Sequence, residues 1–185
     1  MNTKDVIIVK AREVFARDGY DGLSIRLLAK KAHIASSVIY HHFANKDVLL
    51  QAMFDNTNTE LGSLRKSLPE TDSVYDGLVQ QIKFQFDHSQ RIVAVLKYYM
   101  AYRDSFPKLT NGFVPPKAYL HIEEILDRGV KTNEFKNQDI LKQAKMITHM
   151  INGFLLEYYP AKISVTEKDA LVKDLASFIY RGILK

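Results

Sequence analysis

Apolar positions recur along nearly the whole chain at spacings of three and four residues, and no run of four to eight residues alternates as a strand does. The pattern predicts an all-α protein of about nine helices. Ile7, Ala11, Val14 and Phe15 mark one face of a first helix, which Gly19 closes at its C-terminal end. Leu23-Ser24 opens a second, because the Ser24 hydroxyl can cap it and Leu23 can close over Leu28. Ile25, Leu28, Ala29 and Ala32 form its inner stripe. A third, short helix spans about 36–42, with Ile39 and Phe43 one turn apart. Asn45 caps a fourth that runs towards Arg65, and Pro69 breaks the chain.

Beyond that break the periodicity predicts helices over about Ser73–His88 and Arg91–Asp104. A loop rich in Pro and Gly (Pro107, Gly112, Pro115, Pro116) follows, then helices over about Lys117–Val130, Gln138–Tyr159 and Thr166–Leu184. Pro160 separates the last two, and Thr166 with Asp169 reads as a capping box for the final one. No internal repeat and no low-complexity tract is present.

Residues 24–43 describe two short helices joined by a tight turn at Ala32-His33-Ile34. This is the helix-turn-helix layout, in which the second helix enters the major groove of DNA. Ile25, Leu28, Ala29, Ile34, Ile39 and Phe43 face inward. The outer face of the second helix carries Ser36, Ser37, Val38 and His41, which are small or hydrogen-bonding and can reach base edges. Tyr40, His42 and Lys46 supply donors where phosphates would lie. Two short helices and a turn also occur in many proteins that never touch DNA.

Charge adds weight without deciding the matter. The chain has 26 Lys+Arg and 21 Asp+Glu, a net +5, of which residues 1–47 hold +3 (eight basic, five acidic residues). Phosphate contact and a plain solvated surface both account for that bias.

The run from Gly19-Tyr20 through Leu23-Ser24-Ile25 to Leu28-Ala29, followed by Tyr40-His41-His42-Phe43 and Asn45-Lys46-Asp47, closely resembles the N-terminal domain of the TetR/AcrR family of bacterial transcriptional regulators. The likeness covers about 45 residues; the others match only in length and helical character. It implies a three-helix DNA-binding domain over 1–47 and a larger ligand-binding and dimerisation domain over 48–185. Tyr40, His42 and Lys46 would then contact DNA backbone, with Ser24 and Arg26 as additions, and Ser36, Ser37, Val38 and His41 would read bases. Two positions depart from the family pattern. His33 stands where Gly is usual, in a turn that favours a left-handed backbone. Ala35 stands where a capping Ser is usual, and Ser36 capping one residue later would withdraw it from base reading. These departures leave open an interaction protein that keeps the fold without binding DNA.

Eight aromatic residues fall within Phe84–Tyr119. A plain core and a small-molecule cavity with a few polar tips both fit such a stripe. The resemblance favours a ligand, apolar or aromatic, lined by Phe84, Tyr98, Tyr102, Phe106, Phe113, Met150 and Phe154. The penultimate helix is apolar over a wider arc than one packing contact needs. The resemblance implies that Ile147, Ile151, Leu155 and Tyr158, with Leu171, Leu175, Phe178 and Ile179 of the last helix, pair across a two-fold axis into a four-helix dimer interface. The implied protein is a homodimeric, ligand-responsive regulator, most often a repressor in this family, on a near-palindromic operator.

Other classes recede. No Gly-x-Ser-x-Gly elbow, phosphate loop or His-Glu-x-x-His occurs, so no enzyme motif is visible. There is no Cys for a disulfide or a thiolate metal site, and His41 and His42 diverge by about 100° on a helix, so neither metal nor cofactor is expected. The longest apolar run is far short of a membrane span, and the N-terminal residues are not built as a secretory signal. A cytoplasmic location is expected.

Overall fold

The computed structural model describes residues 2–102, 119–135, 139–161 and 163–183, and every regular element among them is a helix. Nine are present among the described residues: α1 (Thr3–Gly22), α2 (Ile25–Ala32), α3 (Ser36–His42), α4 (Lys46–Lys66), α5 (Val74–Asp87), α6 (Ser89–Tyr102), α7 (Leu120–Lys131), α8 (Ile140–Tyr158) and α9 (Val165–Ile183). The Pro- and Gly-rich loop, and with it Phe106 and Phe113, lies outside the described residues.

The described parts of residues 1–66 and 90–115 form one compact unit, and those of 67–89 and 116–185 form a second. In the first, α1 packs on α2, α3 and α4, and α2 packs on α3. Ile7, Val14 and Phe15 of α1, Leu28 of α2, Ile39 and Phe43 at α3, and Leu49, Leu50, Met53 and Phe54 of α4 are buried there. Ile25, Ala32 and Ile34, expected to face inward, are only half-buried. Asn2 and Asp5 close a capping box at the start of α1. Regular helix stops at Gly19, whose φ of 72° and ψ of −162° no L-residue adopts without strain.

Tyr98 of α6 fills the middle of this unit. Its ring stacks on Phe54 at 4.4 Å and 23°, and its hydroxyl donates to Gln51 Oε1 at 2.8 Å. Burial, with a smaller contribution from Asp55 and Asp47, pushes its phenol up to about 12. At the other end of α4, Glu60 Oε2 accepts from buried Arg12 at 2.7 Å and from Arg91 at 2.9 Å, joining α1, α4 and α6.

In the second unit α5 packs on α7 and α9, and α7 packs on α8. The close approach after α7 needs a glycine: a Cβ on Gly129 would stand 2.3 Å from the Phe135 ring, which the turn at Asn133 (φ 63°) folds back over it. Tyr75 and Tyr180 meet edge to face, and the Tyr75 and Ser177 hydroxyls are 3.1 Å apart. The capping box of α9 differs from expectation. It is Ser164 with Glu167, where Glu167 N donates to Ser164 Oγ at 3.1 Å and Ser164 N donates to Glu167 Oε2 at 2.8 Å. Thr166 lies inside the helix, and Asp169 faces Lys83 at 3.6 Å.

The Glu60 bridge sets an acid limit on stability. Burial works to raise its carboxyl, but the hydrogen bond from Arg91 and the charge of Arg12 outweigh burial and hold it below the ordinary value. A carboxyl lowered in the folded state contributes stability above its unfolded pKa and loses it as pH falls through the folded one. The melting temperature is therefore expected to drop below about pH 4.5. Glu60→Gln, followed by circular dichroism across pH, should melt earlier at pH 7 and show a shallower acid limb.

Candidate nucleic-acid interface

The surface offered by α2 and α3 is set by how each helix starts and stops. Ser24 Oγ accepts from Leu27 N at 3.1 Å, with Leu23 and Leu28 both buried beside it, so the predicted cap and apolar closure are present. At the other end of α2 the amide of Ile34 donates to Ala29 O at 3.1 Å and that of His33 to Lys30 O at 3.3 Å. This pair of bonds is a Schellman motif. It requires a left-handed residue, and His33 takes that role at φ 56° and ψ 42°. Lys30 and Lys31 in the last turn favour the negative end of the helix dipole.

The N-cap of α3 is Ala35, which gives no side-chain cap; Ser36 is the first helical residue and does not cap. The Ser36 hydroxyl is therefore not withdrawn into capping, although the residue is half-buried. With Ile39 and Phe43 in the core, Ser37, Tyr40 and His41 point outward, Tyr40 being 56% exposed. Val38 and His42 are half-buried. The rings of His41 and His42 lean together, edge to face at 5.2 Å. Ser24 and Arg26 are exposed at the start of α2.

Lys46 opens α4, where the Asn45 side chain accepts from Val48 N at 2.9 Å. Sequence reasoning missed its surroundings. Lys46 Nζ donates to Tyr20 O and lies 3.6 Å from the centre of the Tyr20 ring, while Asp47 accepts from the Tyr20 and Tyr102 hydroxyls. The Gly19-Tyr20 and Asn45-Lys46-Asp47 runs, which carry part of the family resemblance, are the sequence signals that point to this corner.

The described residues of the proposed ligand set fall in both units. Tyr98 and Tyr102 belong to the first unit, and their hydroxyls are bonded to Gln51 and Asp47. Phe84, Met150 and Phe154 belong to the second. Phe84 is buried with its ring edge-on to His88 at 4.6 Å, and Phe154 stacks with Tyr158 at 6.4 Å. Of the proposed interface residues, Ile147, Ile151, Leu155, Leu175 and Ile179 are buried within the chain itself. Tyr158 and Leu171 are half-buried, and Phe178 is 70% exposed. Met146, at 58%, is a further uncovered apolar residue on α8.

The sequence profile of the bacterial regulatory proteins of the tetR family matches residues 7–53, the stretch that builds α1 to the first turns of α4. Over residues 7–53 the chain is a TetR-family N-terminal domain. It is 30% identical over 124 residues to IcaR, the negative transcriptional regulator of the biofilm operon icaADBC in Staphylococcus epidermidis. That match takes in 66% of this chain and 62% of IcaR, so the chain spans less than two thirds of that relative. It is 28% identical over 137 residues to the fatty acid metabolism regulator protein of Bacillus subtilis, covering 70% of this chain and 69% of that one. Among solved structures, FadR from Bacillus subtilis in complex with stearoyl-CoA superposes with a TM-score of 0.70 at 20% identity, over 97% of this chain and 98% of that one. The ketosteroid regulator KstR2 of Mycobacterium tuberculosis gives 0.71 at 18%, over 100% and 96%. The chain shares the fold of these two regulators.

Each of the two departures at the turn can be reverted to the family residue and tested by urea unfolding. Ala35→Ser should supply the missing cap and stabilise by about 1 kcal/mol. His33→Gly should relieve the left-handed strain and stabilise by about 0.5–1 kcal/mol, net of the extra chain entropy of glycine.

Proposed function

We propose that the protein is a transcriptional regulator of the repressor type that binds a near-palindromic operator as a homodimer and is released by a small apolar or aromatic effector. The observation that carries this reading is the outer face of α3. It presents Ser37, Tyr40 and His41 without a carboxylate, on a helix whose opposite face is locked into the core. Such a face can enter a major groove; Tyr40, His42 and Lys46 lie where backbone contacts fall in this docking mode, with Ser24 and Arg26 from α2. Ser36, Ser37, Val38 and His41 are the base-reading set.

In this reading residues 1–47 bind DNA, and 48–185 bind effector and dimerise. Phe84, Met150 and Phe154 are the described candidates for effector contact. The stearoyl-CoA bound by FadR of Bacillus subtilis carries a long apolar chain, which supports an effector of that character. Two copies would meet through surface that α8 and α9 leave uncovered, at Met146, Tyr158, Leu171 and Phe178. Ligand acts by favouring a dimer in which the two recognition helices no longer match successive grooves.

Selection of duplexes from a random pool by the purified protein tests this directly. An enriched near-palindrome is the expected result; no enrichment by a folded protein, with or without candidate effectors, removes the reading. On the selected duplex, Tyr40→Phe and Lys46→Met should weaken binding to all sequences alike, and Lys46→Met should lower the salt slope by about one, the share of a single neutralised phosphate. Ser37→Ala or His41→Ala should cost about 1–3 kcal/mol on the preferred site and relax preference at the base pair it reads.

A further inference from the structure

Four side chains from three elements close a small network where α4 begins. Asp47 Oδ1 accepts from two phenols, Tyr102 of α6 at 2.7 Å and Tyr20 at 3.2 Å. The two rings meet edge to face at 5.7 Å and 85°, and Tyr98 backs Tyr102 at 4.6 Å. Lys46 sits over the Tyr20 ring and uses one of its three donors on the Tyr20 carbonyl. Burial first, and then Asp47, hold both phenols above their ordinary range, so each remains an O–H donor to the carboxylate.

Asp47 has a structural reason to be there, since an acid in the first turn favours the positive end of a helix dipole. At a surface that receives phosphate it is also a liability. It is exposed and adjacent in sequence to Lys46, and a carboxylate left to turn would either repel the phosphate or take the ammonium for itself. The phenols prevent both: two donors on one oxygen fix the carboxylate and disperse its charge.

We propose that Tyr102 and Tyr20 are positioning residues for DNA binding, holding and masking the Asp47 carboxylate so that Lys46 stays available to a backbone phosphate. This rests on the DNA-binding reading above. It also moves Tyr102 from the effector site, where its aromatic character suggested it, to the DNA-binding end of its own unit.

The experiment is a double-mutant cycle on the duplex selected by the wild-type protein, at low and high salt, with melting curves alongside. Tyr102→Phe removes one hydroxyl and keeps the ring. It should weaken binding about threefold to fivefold at low salt, the scale of one exposed charge, and less at high salt, without changing sequence preference. In a chain that also carries Asp47→Asn there is no charge left to mask, and the same Tyr102→Phe change should then cost less than about twofold. Tyr20→Phe keeps the ring beneath Lys46 and should behave the same way, which serves if Tyr102→Phe does not fold. Undiminished affinity of a folded Tyr102→Phe protein, or an equal loss with and without Asp47→Asn, overturns the proposal while leaving DNA binding intact. If the wild-type chain retains no duplex, the functional reading itself has failed.

Discussion

Helix α3 has seven residues, and a helix that short does not persist alone in water, so it exists because Ile39 and Phe43 are buried against α1 and α2. That burial decides more than stability. With one face committed to the core, the opposite face is fixed in direction, and Ser37, Tyr40 and His41 are presented together. The turn that leads into α3 is fixed in the same way. Two amide bonds close over the end of α2 and force one residue into the left-handed region, and the chain meets that demand with His33. The outward face of α3 is thus a consequence of core packing and turn geometry, not of any loop free to adjust.

Helix α4 carries this arrangement onward within its own unit. Its first turn holds Lys46 and Asp47 against Tyr20, its middle packs Phe54 on Tyr98, and its later turns place Glu60 between Arg12 and Arg91. A single carboxylate shared by two guanidiniums makes charged partners of three helices, and removing Glu60 would leave buried Arg12 and part-buried Arg91 without the carboxylate they share. α6 therefore meets α4 at both ends: Tyr98 and Tyr102 near one, Arg91 near the other. The polar contacts are as much a part of this unit's definition as its apolar core.

The second unit shows how a wide apolar stripe divides when its neighbours are present. Ile147, Ile151 and Leu155 of α8, and Leu175 and Ile179 of α9, are buried by the chain's own helices. Met146 and Phe178, on the same two helices, are left in solvent. Along the sequence both sets look alike, because hydrophobic character reports the tendency to leave water and not the surface that will receive it. A proposed dimer contact has to be built from what the fold leaves uncovered.

The local signals were legible in the sequence wherever the interaction is itself local. The helix count, the Ser24 and Asn45 caps, the break at Gly19 and the left-handed role of His33 all rest on residues within a turn or two of one another. Where two local patterns overlapped, as at Ser164–Glu167 and Thr166–Asp169, spacing alone did not choose between them; the chain's entry into α9 did. Everything that depends on distant partners was settled by tertiary structure: Tyr102 meeting Asp47 across 55 residues, Tyr98 meeting Gln51 across 47, and the division of the α8 and α9 faces into buried and exposed. A side chain's identity states which contacts it can make, and only the packing of helices far apart in sequence states which of them it does make.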